Sequence, residues 1–161
     1  PVDRAVQDRI QAVADFVASR GAHVDDKARP DIPLAEAHRV FIHLLRAATS
    51  RSLSNEVFGK LAKRAAKVDP SATDYESWML RGSTLSHREW LLLNEARHRM
   101  AAAWSAFFRE WDVLLCPAAA TTAFPHNQKG ERWERMVTVN GKPQPSTTQM
   151  FWAGYSGMVY L

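Results

Sequence analysis

One stretch of this chain constrains the rest. From position 86 to 111 apolar side chains recur at helical spacing without a break. Trp90, Leu93, Arg97, Met100, Trp104, Phe107 and Trp111 alternate at intervals of three and four, and Leu92, Ala96, Met100, Ala103 and Phe107 run beside them. Ser86 followed three residues later by Glu89 is a capping box that fixes where the helix starts. About 26 residues at ~1.5 Å each make a rod of roughly 39 Å. A helix with so wide an apolar surface is expected to be well buried. Arg97 interrupts the stripe. It either spans to a carboxylate or backbone carbonyls at a domain edge, or meets a substrate anion.

The first 111 positions as a whole read as mostly helical. Only three of the seven glycines, Gly21, Gly59 and Gly82, precede position 110, and low glycine favours helix. A first helix is expected over 3–20, capped by Asp3, ended by Gly21, and burying Val6, Ile10, Val13 and Val17. Residues 22–24 can form a short strand. A second helix is expected from Pro33 to about 48, burying Ala37, Val40, Phe41, Leu44 and Leu45. A third spans about 55–68 behind the Ser54 cap and before Asp69-Pro70. A short one falls at 74–81.

After Trp111 the character changes. The apolar run 113–116, closed by Pro117, predicts a buried strand. Asn140-Gly141 predicts a hairpin near 136–143, with a return strand cut short by Pro143 and Pro145. Ser146 caps a last helical stretch over 147–153. The whole reads as one incomplete domain, 1–161, with a helical part over 1–111 and a mixed part over 112–161. The chain opens without a start methionine and stops inside an apolar run, which suggests a segment of a longer protein.

Composition narrows the function classes. Apolar residues at 46% and charged residues at 24% are those of a folded globular chain rather than a disordered one. No run is long and apolar enough for a membrane span, and no signal peptide opens the chain. The net charge of +4 is spread thin, and its densest patch, Lys60, Lys63, Arg64 and Lys67, reads as a solvated helix face. Neither nucleic acid nor membrane is therefore expected as a partner. The single cysteine excludes a disulfide framework and suits the cytoplasm.

Catalytic motifs are scarce. There is no phosphate-binding or dinucleotide glycine loop. His38 and His43, five apart, do not stack on one helical face, so no metal site is expected. Gly154-Tyr155-Ser156-Gly157-Met158 approaches a nucleophile elbow but fails at its last glycine and follows a helix. Cys116 at the end of the expected strand is the tempting nucleophile. Yet only His126 could serve as a local base, and a buried apolar thiol or a pocket-lining one fits better. Trp152 and Phe151 read as core.

The run Phe107-Phe108-Arg109-Glu110-Trp111-Asp112-Val113-Leu114-Leu115-Cys116-Pro117 resembles a segment of the amidase signature family, in which a long helix leads through Asp and an apolar strand to a Thr/Cys-Pro. Ala123-Phe124-Pro125-His126 resembles the family's following loop. Val139-Asn140-Gly141 and Phe151-Trp152-Ala153-Gly154 resemble its later hairpin and helix. The opening, Pro1-Val2-Asp3 through Gly21-Ala22-His23-Val24, is similar to the helix and strand that follow the family's catalytic core region. The resemblance implies an α/β parent fold, of which this segment is mostly α-helical with a few short strands. It implies a hydrolase that cleaves carboxamide C–N bonds through a Ser–cis-Ser–Lys triad, with a small-molecule amide as substrate and no cofactor. A homodimer is compatible with it. The Gly/Ser-rich signature and the upstream lysine are not in this sequence, so no catalytic residue is assigned. By family position Cys116, Pro117 and Trp152 would wall the acyl pocket. The competing reading is a non-enzymatic helical protein-interaction module, which would show many tryptophans in water.

Overall fold

A computed structural model describes residues 1–159. It is mostly helical, with one two-stranded antiparallel hairpin. In chain order the elements are α1 (Arg4–Ser19), α2 (Leu34–Ser50), α3 (Asn55–Ala65), α4 (Tyr75–Ser83), α5 (His87–Phe107), β1 (Met136–Val139), β2 (Lys142–Pro145) and α6 (Gln149–Gly157). Short 3-10 turns lie at Arg132–Glu134 and Ser146–Thr148. Two compact units divide the chain. One comprises Pro1–Asp31 and Trp104–Ala153, the other Ile32–Ala103 and Gly154–Leu161.

The second unit is built on α2 and α4. Their close approach depends on Gly82, where a Cβ would lie 2.9 Å from the backbone Cα of His43. Trp78 of α4 meets the rings of His38 and His43, at centroid distances of 5.6 and 6.2 Å. Ala37 and Val40 of α2 close a core with Leu93, Ala96 and Met100 of α5 and with Met158. Those three α5 residues sit three and four apart, so one line of the helix carries the packing. The expected Ser54 and Ser86 caps form and Asp74 adds one at α4, whereas Ser146 donates its hydroxyl to the Arg132 carbonyl instead of capping. The Ser54 hydroxyl accepts from the Val57 amide, and the Asp74 carboxylate from Ser77. Ser86 and Glu89 exchange hydrogen bonds, the Ser86 amide donating at 2.8 Å and the Glu89 amide at 3.2 Å.

The long helix departs from expectation in two ways. Trp90 and Leu92 are 37% and 59% exposed, so burial is confined to one stripe. The helix also ends at Phe107 rather than Trp111. Arg109 and Glu110 donate to carbonyls only three residues back, which tightens and terminates the final turn. Trp111 instead stacks on Phe107 and on His23, at 6.2 and 5.4 Å. Arg97 donates to the Asn94 Oδ1 of its own helix at 2.8 Å.

In the first unit α1 begins where Asp3 caps it, the carboxylate accepting from Ala5 at 3.1 Å. Gly21 takes φ +92 just beyond its end. Its stripe is not buried as expected. Val13 is 47% exposed and Phe16 57%, while Val6, Ile10, Ala14 and Val17 are half-buried. No strand forms at 22–24 or at 113–116. The latter is a correction: Val113 is 67% exposed and Leu115 43%. A strand exists only by pairing, and no neighbouring strand is offered to this run among the described residues.

The hairpin forms as expected and runs two residues longer. Asn140 (φ 52) and Gly141 (φ 75) supply the two positive φ angles of a tight primed turn. Val139 faces Lys142, Thr138 faces Pro143 and Met136 faces Pro145. With a two-residue loop, pairs alternate outward from the turn between bonded and unbonded. Both prolines fall at unbonded positions, where no amide is required.

Candidate functional site

A polar cluster lies in the first unit, where the start of α1 meets the hairpin turn. Each partner is placed by its local backbone: Asp3 as a cap, Asn140 as the first turn residue. Their side chains and main chains interlock. The Asn140 amide donates to the Asp3 carboxylate at 3.0 Å, and the Arg4 amide donates to the Asn140 Oδ1 at 2.7 Å. Asn140 Nδ2 donates to the Val2 carbonyl at 2.9 Å. Main-chain donors from Asn140 and then Ala5 hold the Asp3 carboxyl below its ordinary range. The Asp3 amide in turn donates to the Ala120 carbonyl at 2.7 Å. The Ala120 amide donates to Gln149 Oε1 at 2.8 Å. Thus the loop after Pro117 is fastened at one residue to both α1 and α6.

Under that fastening sits a small apolar cluster. Ala120, Val137 and Val139 are buried, and half-buried Trp152 packs against them. Phe151 stands edge-on to Trp152 at 5.0 Å. Cys116 and Pro117 are half-buried on the segment leading into the cluster. Burial pushes the Cys116 thiol above its ordinary value, so it stays protonated near neutral pH. A protonated thiol is neither nucleophile nor metal ligand. Trp152 thus packs beside the hairpin residues Val137 and Val139, and Cys116 and Pro117 lie on the segment that leads to Ala120. The Asp3–Asn140 tie was missed in the sequence. Each residue shows its local role there, cap and turn, but nothing in a single chain links positions 137 apart.

The second unit holds an open groove of about 780 Å³ lined by His43, Arg39, Arg81, Glu36 and Glu89, among others. Its polar groups are occupied by the fold itself. Arg81 donates to the Pro70 and Ala72 carbonyls. Glu89 serves the capping box. Arg39 stands 3.9 Å from Glu36. His43 Nδ1 lies 2.8 Å from the Arg39 carbonyl, which can only accept, so that nitrogen carries the proton. Burial lowers the His43 pKa, and the ring is neutral at neutral pH. No group of three or more metal-ligating side chains occurs among the described residues. No helix among them is long and apolar enough to cross a membrane.

The order of elements around the candidate wall is a long helix, an aromatic–Asp–apolar run to Cys-Pro, a hairpin and a Trp-Ala-Gly helix. No curated protein and no solved structure matches the chain. The family model described as Amidase matches residues 1–158. With nearly its whole length covered, the chain belongs to the amidase family.

Proposed function

We propose that this chain supplies scaffold and acyl-pocket wall to a hydrolase that cleaves carboxamide C–N bonds through an acyl-enzyme, and that it is inactive alone. The observation that carries the reading is the family match over residues 1–158 in a sequence without the Gly/Ser-rich signature. Amide hydrolysis needs a hydroxyl made nucleophilic by an adjacent base and donors aimed at the developing oxyanion. In the parent, a serine, a bridging serine and a lysine outside these 161 residues perform that chemistry. The residues here shape the space beside it. Cys116, Pro117 and Trp152 line the acyl side, with Ala120 and the hairpin fixing them from behind. In this reading the 161 residues are one incomplete domain of a cytoplasmic enzyme acting on a small-molecule amide.

The exposed apolar groups support the reading. Val13 and Phe16 on α1, and Val113 and Leu115 before Pro117, are the side chains such a scaffold would turn toward the remainder of the enzyme. The interaction-module alternative needs tryptophans in water. Instead Trp104 is 1% exposed, and Trp90 alone among the six reaches 37%.

The test is steady-state hydrolysis of simple primary carboxamides and anilides. The 161-residue chain gives no turnover above buffer. The same chain continuous with an upstream segment carrying both serines and the lysine gives saturable turnover. Turnover by the 161 residues alone overturns the assignment.

A further inference from the structure

The long helix α5 has a second apolar feature that its core packing does not use. On its outward face Leu91 and Leu92 are 49% and 59% exposed. They line a shallow depression together with Arg88, Asn94, Glu95 and His98. Positions 88, 91, 92 and 95 fall on one side of a helix. Their order is symmetric about a point: Arg88 lies three residues before Leu91, and Glu95 three residues after Leu92. A cation and an anion thus flank a leucine pair at equal distances, with opposite sign.

We propose that this face is the contact surface of a symmetric dimer, and that its occupant is the same helix of a second copy. A twofold axis through the midpoint between Leu91 and Leu92 lays the two helices antiparallel. Leu91 of each copy then meets Leu92 of the other. Arg88 of each meets Glu95 of the other, so both charged pairs form at once. Such self-complementarity is what an isologous interface requires. A parallel pairing would oppose like charges. Arg88 takes part in none of the ion pairs among the described residues. Glu95 holds Arg99 on its own helix at 3.0 Å, with both side chains 67% exposed, and is open to a second cation. One helix face covers less than the ~1,200 Å² total of a standard stable interface, so the dimer is weak and concentration-dependent. The inference does not depend on the hydrolase reading.

Sedimentation velocity on the 161-residue chain, from low micromolar to near-millimolar, tests it. The wild type passes from monomer to dimer. Arg88→Glu or Glu95→Arg each sets like charges face to face twice and raises the dimer Kd by about tenfold or more. An equimolar mixture of the two variants restores the dimer as a heterodimer, because each reversed charge then meets its opposite. Both positions are exposed, and far-UV circular dichroism reports that each variant keeps its helix. A wild type that stays monomeric throughout overturns the proposal. So does a dimer unmoved by either reversal, or variants that fail to rescue one another. Open-ended assembly also overturns it, since a twofold contact closes.

Discussion

Gly82 and Gly59 look alike in sequence and behave oppositely in the structure. At Gly82 a Cβ would meet His43 backbone at 2.9 Å, and backbone cannot rotate away. Gly82→Ala is expected to destabilise by about 1–3 kcal/mol in urea unfolding, as overpacking does. At Gly59, inside α3, nothing lies within 4 Å and no positive φ is needed. Gly59→Ala is expected to stabilise by about 0.4–1 kcal/mol, chiefly through the unfolded chain. Titration separates residues in the same way. His38 and His43 both have folded pKa values lowered from 6.5 by burial. Their neutral form is favoured in the folded state, so stability is full above about pH 6.5 and falls as pH drops through the window between that value and the folded pKa. Asp3, Asp69, Asp74 and Glu89 have lowered carboxyl values, and their contribution is lost at still lower pH. A thermal melt series is expected to decline first below pH 6.5, and His43→Gln to flatten that first step. Cys116 shows the opposite sign for reactivity. With its thiol pushed up, alkylation by iodoacetamide at pH 8 is slower than for a free thiol and matches it only after urea unfolding.

Among the elements, those specified by their own ends were legible in advance. Ser54 and the Ser86–Glu89 box act within three residues, so their outcome depends on local chain alone. Ser86→Ala is expected to cost about 0.5–2 kcal/mol and to fray the start of α5, seen as faster amide exchange at Glu89. The hairpin was legible for the same reason, since Asn140-Gly141 carries its φ requirement with it. What sequence pattern misjudged were the burial claims. The stripe of α1 and the first positions of the α5 stripe, Trp90 and Leu92, fit the period, yet periodicity states only which side could be covered, not that anything covers it. The run 113–116 has strand composition without a partner strand, and composition cannot provide one. The candidate wall was half legible. Trp152 and the hairpin were read separately, whereas the Asp3, Asn140 and Gln149 bonds that gather them around Ala120 join positions far apart in the chain.

At the scale of the molecule, the two units divide labour. One is a helical body in which α4 packs on α2 and a core joins α2, α5 and Met158. The other ties the start of α1, the Ala120 loop, the hairpin and the start of α6 into one polar and apolar knot. A family match over residues 1–158 gives that knot its meaning as part of an amidase, and the sequence holds no Gly/Ser-rich stretch to attack an amide. Intact-mass measurement after incubation with an acylating amide or ester tests this most directly. Scaffold and pocket wall without a nucleophile leaves the mass of the 161-residue chain unchanged, with no acyl group on any serine. One acyl group per chain, mapped to a single serine and removed as hydrolysis proceeds, would contradict it.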